Sequence, residues 1–401
     1  MEFSGEAHAP LLEKLKALQE LMSDLGLPGS VVPMPDSSLQ KNLWEVRKAG
    51  LNIMMSLKGD GKPVSFIEDC AVPLEHLAEY TDELTQVFKR HGTKGTWYAH
   101  ASVGTLHVRP ILDMRRDGAK RMRQIAEEAS ALVRKYKGAY SGEHGDGLCR
   151  GEWIEWQFGP QITQSFASIK QHLDPLNLLS PQRIVNPPKM DDTSLMRYGN
   201  QYQVIPIQTA LDWQLWNVQN DPATEQTTAP GTGGDPAQGF AKAVEMCNNN
   251  GTCRKFDAGT MCPSFRVTRD EVHATRGRAN TLRLALSGQL QGGLESPEVK
   301  EAMDLCVGCK GCKRDCPTGV DMARMKIETT HQYKSKHGFT LKDRLISHLP
   351  RYAHLAAPFS GLLNLRNSML WLAQVAEKFT GLSAKRSWPT WHSDHFFNSA
   401  T

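Results

Sequence analysis

The stretch LCVGCKGCKRDCPTGVDMARMK, residues 305–326, constrains this chain more tightly than any other. Two residues separate Cys306 from Cys309 and Cys309 from Cys312, three separate Cys312 from Cys316, and Pro317 stands directly behind Cys316. Three thiolates at that spacing wrap three corners of an iron–sulfur cubane, while the fourth, turned away by proline, reaches a different iron or a different cluster. A zinc ribbon would instead show two close pairs separated by a long loop. Of the nine cysteines, Cys247, Cys253, Cys262, Cys306, Cys309, Cys312 and Cys316 crowd into one stretch. That crowding suits metal ligation in a reducing compartment better than oxidative cross-linking.

A length of 401 residues with 40% hydrophobic residues allows two or three domains with real cores. The net charge of +4 is spread along the chain without a basic block, which gives no case for a nucleic-acid partner. No segment has the uninterrupted apolar length of a membrane span, and the N-terminus lacks the basic start and apolar run of a signal peptide. The expectation is a cytoplasmic protein, peripheral at most to the inner face of a membrane.

Taken in order, Glu2 to Gly5 reads as the tail of a strand, and Leu11, Leu15, Leu18, Met22 and Leu25 mark a helix that Gly26 stops. A second helix carries Leu43, Trp44, Val46 and Arg47; an extended segment from Pro63 to Cys70 leads to a helix over 74–90. The absence of G-x-G-x-x-G and P-loop patterns argues for an α+β layer and not a doubly wound nucleotide-binding sheet. In TWYAHASVGTLHVRPIL, residues 96–112, two strands joined at Val103-Gly104 would make His100 and His107 direct cross-strand partners able to share a metal. Two unrelated histidines on a half-buried sheet is the plainer alternative. A helix over 117–136 then leads into SGEHGDG, residues 141–147. Its three glycines let the backbone approach a flat ligand, and Glu143, His144 and Asp146 offer a ligand, a base and a polar anchor.

SGEHGDG and the segment DPLNLLSPQRIV, residues 174–185, resemble the C-terminal half of the FAD-linked oxidases that act on D-2-hydroxy acids such as D-lactate, glycolate and D-2-hydroxyglutarate. The resemblance covers roughly the first 188 residues. It implies an antiparallel-sheet domain in which His100, His107 and Glu143 bind a divalent metal, zinc or manganese, and His144 is the general base. It also implies that Glu143, Gly145, Asp146 and Gly147 line the FAD, and that Arg47 of LWEVR and Lys62 grip the substrate carboxylate. Leu51 stands where the family often has threonine, and Arg109 where asparagine is common; the second change points to a bulkier or more acidic substrate. In that family the FAD is held mainly by a preceding domain, so an upstream FAD-binding half is expected and this chain alone is expected to be inactive.

Residues 189–240 read as a connector, with isolated Trp213 and Trp216 and the Gly- and Pro-rich run TTAPGTGGDPAQG. Beyond it, CNNNGTCRKFDAGTMCPS supplies Cys247, Cys253 and Cys262, a degenerate partner of the later cysteine run. Crossed ligation would assign Cys262, Cys306, Cys309 and Cys312 to one 4Fe-4S cluster and leave Cys247, Cys253 and Cys316 for a second, three-thiolate site. Ligation of one cluster by Cys306 to Cys316 alone is the rival arrangement. Arg276 and Arg278 either offset cluster charge or are surface arginines. Residues 241–333 resemble the all-α ferredoxin domain that accompanies flavin oxidases and succinate dehydrogenase-type enzymes, and 334–401 read as a helical tail. The joint expectation is an iron–sulfur flavoprotein dehydrogenase that passes electrons from a small 2-hydroxy acid through FAD and a cluster to a quinone or carrier. The alternative is a non-catalytic electron-transfer subunit.

Overall fold

The computed structural model describes residues 2–199, 202–217 and 235–394. Helix α1 (His8–Asp24) ends where Gly26 turns with positive φ, and α2 (Ser37–Met55) starts at Asp36, whose carboxylate accepts the N–H groups of Ser38 and Leu39. Neither helix buries a residue in this chain. Residues 2–5 join no strand, contrary to the expected strand tail. Only the two ends of the extended segment after α2 pair: β1 (Lys62–Pro63) and β2 (Cys70–Ala71) flank the hub of the sheet, β4 (Thr105–Leu112), while β3 (Gly95–His100) runs antiparallel along it.

Strand β4 is buried along its whole length, yet its two faces differ. Leu106 and Val108 enter the core with Tyr80, Leu84, Val87 and Phe88 of α3 (Leu77–Arg90) and Met122, Ile125, Ala126 and Val133 of α4 (Gly118–Lys135). His107 and Arg109, one residue out of phase, face the other way. Helix α5 (Ile154–Leu173) breaks at Gly159-Pro160, where Gly159 has φ 80° and Pro160 offers no N–H to the turn before it.

The second core is all-helical. It is built by α6 (Phe240–Glu245), α7 (Pro263–Thr268), α8 (Thr275–Leu286), α9 (Pro297–Asp304), α10 (Gly311–Asp315) and α11 (Met322–His337) around Phe240, Val244, Leu282 and Met303. Trp213 is built into this core and does not lie over it as a connector residue would; its ring meets Phe240 at 5.0 Å and its N–H donates to the buried Glu328 at 3.1 Å. The run 227–239 lies mostly outside the described residues. Across the two cores Arg115 bridges Asp60 and Glu245, and Asn248 donates to Asn52 at 3.3 Å.

The tail forms α12 (Leu341–Ser347), α13 (Leu349–Ala356), α14 (Ser360–Ser368) and α15 (Leu370–Thr380), with Pro350 in the first turn of α13. Arg366 pins the last segment by donating to the carbonyls of Ser383 and Arg386, each at 2.6 Å, while Leu362, Met369 and Leu370 stay exposed. No described helix is long and apolar enough to cross a membrane.

Candidate active site and cluster centres

His100 ends β3 and His107 lies within β4, but they are not direct partners: His100 stands opposite Thr105, and His107 opposite Tyr98. The turn is longer than expected, with a helical turn at Ala101–Val103 before Gly104 at φ 71°. The register differs from the expected one by two residues. An even shift keeps both histidines on one face, so they meet diagonally with ring centroids 5.0 Å apart. Glu143 completes the group, its Oε1 3.8 Å from His100 Nε2 and 3.7 Å from His107 Nε2. These three residues can present ligand atoms that all lie within 4.8 Å of one another.

His107 is the telling member. Its side chain is 1% exposed, and neither ring nitrogen has a hydrogen-bond partner. Burial, the largest influence, holds its pKa below the ordinary value, in spite of Glu143 and Glu68 nearby. A neutral imidazole with unfilled nitrogens facing a carboxylate and a second imidazole fits a divalent cation in the donor set and in the protonation state. Glu68 Oε1 lies 3.5 Å from His107 Nδ1, the ring nitrogen turned away from Glu143. Arg109 is not free to meet a substrate: its Nε donates to Glu68 at 3.0 Å, and a second nitrogen pairs with the same carboxylate.

The SGEHGDG loop is held from beneath by Asp69, a residue that sequence reasoning missed. Fully buried and at φ 65°, it accepts the N–H groups of Glu143 at 2.7 Å and His144 at 2.6 Å. Arg150 closes the arrangement, donating to Asp69 at 2.6 Å, Gly145 O at 2.7 Å and Ser141 Oγ at 3.1 Å. Burial by itself would raise the Asp69 pKa, but the two loop N–H groups and Arg150 outweigh it and hold the carboxyl below its usual range. Gly145 and Gly147, at φ 76° and 58°, have nothing within 4 Å of a would-be Cβ, so the loop offers bare backbone outward, a surface suited to a flat ring system. Burial raises the pKa of Asp146 at the base of this loop. His144 stacks over His107 at 5.1 Å, with Nε2 3.9 Å from Glu143 Oε2. Glu68, His107 and His144 form a second possible ligand trio.

Arg47 reaches this site in steps: its guanidinium lies 5.4 Å from the Tyr98 ring, which stacks on His107 at 4.4 Å. Lys62 does not. β1 pairs at the far end of β4, at Leu112, so the Lys62 ammonium donates to Leu57 O and lies 3.8 Å from Met246 Sδ on the second core. Burial, aided by Arg115, lowers its pKa to about 8.

In the helical core, Cys262, Cys306, Cys309 and Cys312 line one cavity with Arg278 and Met322; Cys316 is not among its lining residues. N–H groups point at the sulfurs: Met322 at Cys312 (3.3 Å), Gly311 at Cys309 (3.5 Å) and the Arg278 guanidinium at Cys262 (3.4 Å). Burial pushes the Cys262 thiol up, yet Ser264 and Arg278 outweigh it and leave the thiol below its ordinary value. Arg278 is 1% exposed, a buried cation against a sulfur and not a surface arginine. Cys316 is close enough to Cys247 to act on it electrostatically, as Cys247 does on Cys253. Arg276 directs its backbone N–H at Cys253 Sγ (3.4 Å), while its side chain is held by Glu271 at 2.6 Å. Four sulfurs around one cavity, met by N–H donors, fit a cubane.

A flavin-oxidase type of sheet carrying a His-His-Glu group, joined to a helical cysteine-lined core, defines the class of protein. Residues 1–184 match the family described as FAD linked oxidases, C-terminal domain, and residues 243–320 match the 4Fe-4S dicluster domain. The chain thus joins an FAD-linked oxidase C-terminal domain to a 4Fe-4S dicluster domain. It is similar to a D-2-hydroxyglutarate dehydrogenase of Escherichia coli (strain K12), 28% identical over 95% of this chain and 39% of that protein. It is also similar to a D-2-hydroxyglutarate dehydrogenase of Pantoea ananatis (strain AJ13355), 30% identical over 85% of this chain and 35% of that protein. A mitochondrial D-lactate dehydrogenase [cytochrome] of Arabidopsis thaliana is 27% identical over 37% of this chain. The chain thus spans less than two-fifths of the length of the first two.

Proposed function

We propose that this chain is the substrate and electron-relay portion of an FAD-dependent dehydrogenase that oxidises a D-2-hydroxy acid to the 2-oxo acid and passes electrons through an iron–sulfur cluster to a quinone or carrier. The names of the relatives favour D-2-hydroxyglutarate, with D-lactate and glycolate as the nearest alternatives. The observation that carries this reading is the buried, unpartnered His107 imidazole facing Glu143 and His100 on the same sheet face as the loop that carries His144.

His100, His107 and Glu143 would hold a divalent ion, zinc or manganese, whose chemistry there is to acidify a bound 2-hydroxyl. His144 is half-exposed beside that group and accepts the hydroxyl proton. Arg47, held over Tyr98, meets the carboxylate, and Arg109 stays tied to Glu68 and keeps the His107 ring aligned. Bound flavin supplies the hydride acceptor, and Gly145 and Gly147 give it a side-chain-free approach. Cys262, Cys306, Cys309 and Cys312 would hold a complete cluster, and Cys247, Cys253 and Cys316 a second, three-thiolate site. Peripheral association with a membrane belongs to the same reading, through the acceptor.

Anaerobic mixing of the flavin-loaded protein with a panel of D- and L-2-hydroxy acids tests the reading by flavin bleaching. D-isomers should bleach the flavin and L-isomers should not, and His144→Ala should slow bleaching on the order of a hundredfold or more. Equal rates for both isomers, or no loss in His144→Ala, would overturn it.

A further inference from the structure

Within the cysteine-lined cavity the four sulfur-bearing residues are not equally covered: Cys262 and Cys312 are buried, Cys306 is half-buried, and Cys309 is exposed. Cys309 sits in the loop 305–310, where Gly308 has positive φ and open space beside it. Ahead of it in the same loop two apolar residues stand in solvent, Leu305 at 46% and Val307 at 72% exposure. Nothing in this chain covers them among the described residues.

Around this loop cations outnumber carboxylates, six to four over residues 300–326. Lys300 pairs with Asp304, Arg314 with Asp315, and Lys313 loosely with Asp321 at 3.8 Å. Those pairs use three of the four carboxylates of residues 300–326, and Glu301 of α9 is the fourth. Lys310 is exposed with no carboxylate partner among the described residues, and Lys326 donates only to carbonyls, to Cys306 O at 2.6 Å and Asp304 O at 3.4 Å. Exposed apolar groups at the centre, with the unpaired Lys310 and the loosely paired Lys313 beside them, are the pattern of an electrostatically steered, transient protein interface.

Resting on the cluster reading above, we propose that loop 305–310 with the start of α10 is the exit of the electron path, where a small one-electron carrier protein with an acidic face docks over Cys309. Each encounter moves one electron: the chain's reduced cluster is oxidised by one, the carrier is reduced by one, and no bond or proton changes hands. Leu305 and Val307 supply the apolar contact, and Lys310, Lys313 and Lys326 the steering. Cys247 follows directly on Met246, whose sulfur lies 3.8 Å from the Lys62 ammonium of the oxidase domain.

The test is calorimetric titration of the iron-loaded 401-residue chain, in its oxidised state, with an acidic [2Fe–2S] ferredoxin as probe. Equimolar binding is expected, weakening about tenfold or more as salt rises to about 0.3 M. Lys310→Glu combined with Lys313→Glu should weaken it at least about tenfold at unchanged iron content and unchanged cluster EPR. Val307→Ser, which leaves the cations in place, should weaken it a few-fold and serves if the charge-reversed chain loads iron poorly. Unchanged affinity in both variants, or binding of basic cytochrome c or anionic vesicles in place of ferredoxin, would overturn the docking proposal. A wild-type chain that takes up no iron and sulfide would instead sink the cluster reading, before any titration.

Discussion

At the scale of single residues the site depends on two groups that never touch a substrate. Asp69 gathers the N–H groups of Glu143 and His144 and the Arg150 guanidinium, and both side chains are buried. Removing one member of such a buried pair leaves the other charged and unmatched, typically at about 3 kcal/mol or more. Asp69→Asn and Arg150→Met should each lower stability by that amount in urea titration, and the double variant should lose clearly less than the sum; strict additivity would show that the pair is not coupled. Lys62 gives a prediction in pH. Its folded pKa of about 8 lies below that of a free lysine, so between pH 8 and about 10.5 the unfolded chain holds a proton that the folded chain lacks, and stability rises with pH through that window. Lys62→Met should flatten the rise and stabilise the chain at neutral pH by on the order of 1–3 kcal/mol; an unchanged slope would assign the rise to other groups. His100, His107, Glu143 and the cysteines could be read from sequence because their chemistry is bound to spacing or motif. Asp69 could not, since an acid in the run Phe66-Ile67-Glu68-Asp69-Cys70 declares its role only once both neighbours are buried, although a pair of acids inside so apolar a run is the signal that was there to be used.

At the scale of elements the hairpin β3–β4 decides where the histidines meet. Gly104 makes the reversal: at φ 71°, its would-be Cβ would lie 1.9 Å from the Val72 carbonyl oxygen. Gly104→Ala therefore meets a backbone clash as well as the left-handed penalty, and should cost about 2 kcal/mol or more by chemical denaturation while pulling β2 away from β4. A neutral effect would mean that the turn can be rebuilt without that contact. Sequence alone gave both strands and the shared face. It misplaced the register by two residues because Val-Gly is no favoured two-residue turn, and the chain closes with a longer one. The face survived because an even shift preserves side-chain parity. The extended reading of 63–70 holds only at its two ends, and next to the last residue Asp69 takes a left-handed conformation that turns its carboxylate under the SGEHGDG loop.

At the scale of the whole molecule, an oxidase-type sheet and a cysteine-lined helical core meet over a charged seam in which Arg115 bridges Asp60 to Glu245 and lies 5.0 Å from the Tyr198 ring. Arg115→Ala should separate the calorimetric unfolding of the two cores or broaden a single transition, at unchanged iron content; one sharp transition at the wild-type temperature would show that the seam contributes nothing to coupling. The division into two modules was legible from the cysteine runs and from SGEHGDG. The seam was not, nor was the place of Trp213 in the second core, because both are set by contacts between residues far apart in sequence. The reading proposed here turns on a divalent-metal site in the oxidase-type domain built from His100, His107 and Glu143. Metal analysis of the 401-residue chain, loaded with zinc or manganese and dialysed, tests it most directly. One such ion per chain beyond the iron is expected, lost in His107→Ala and in Glu143→Ala and retained in His144→Ala. A chain that binds no divalent ion, or one that loses it equally in His144→Ala, would contradict the account.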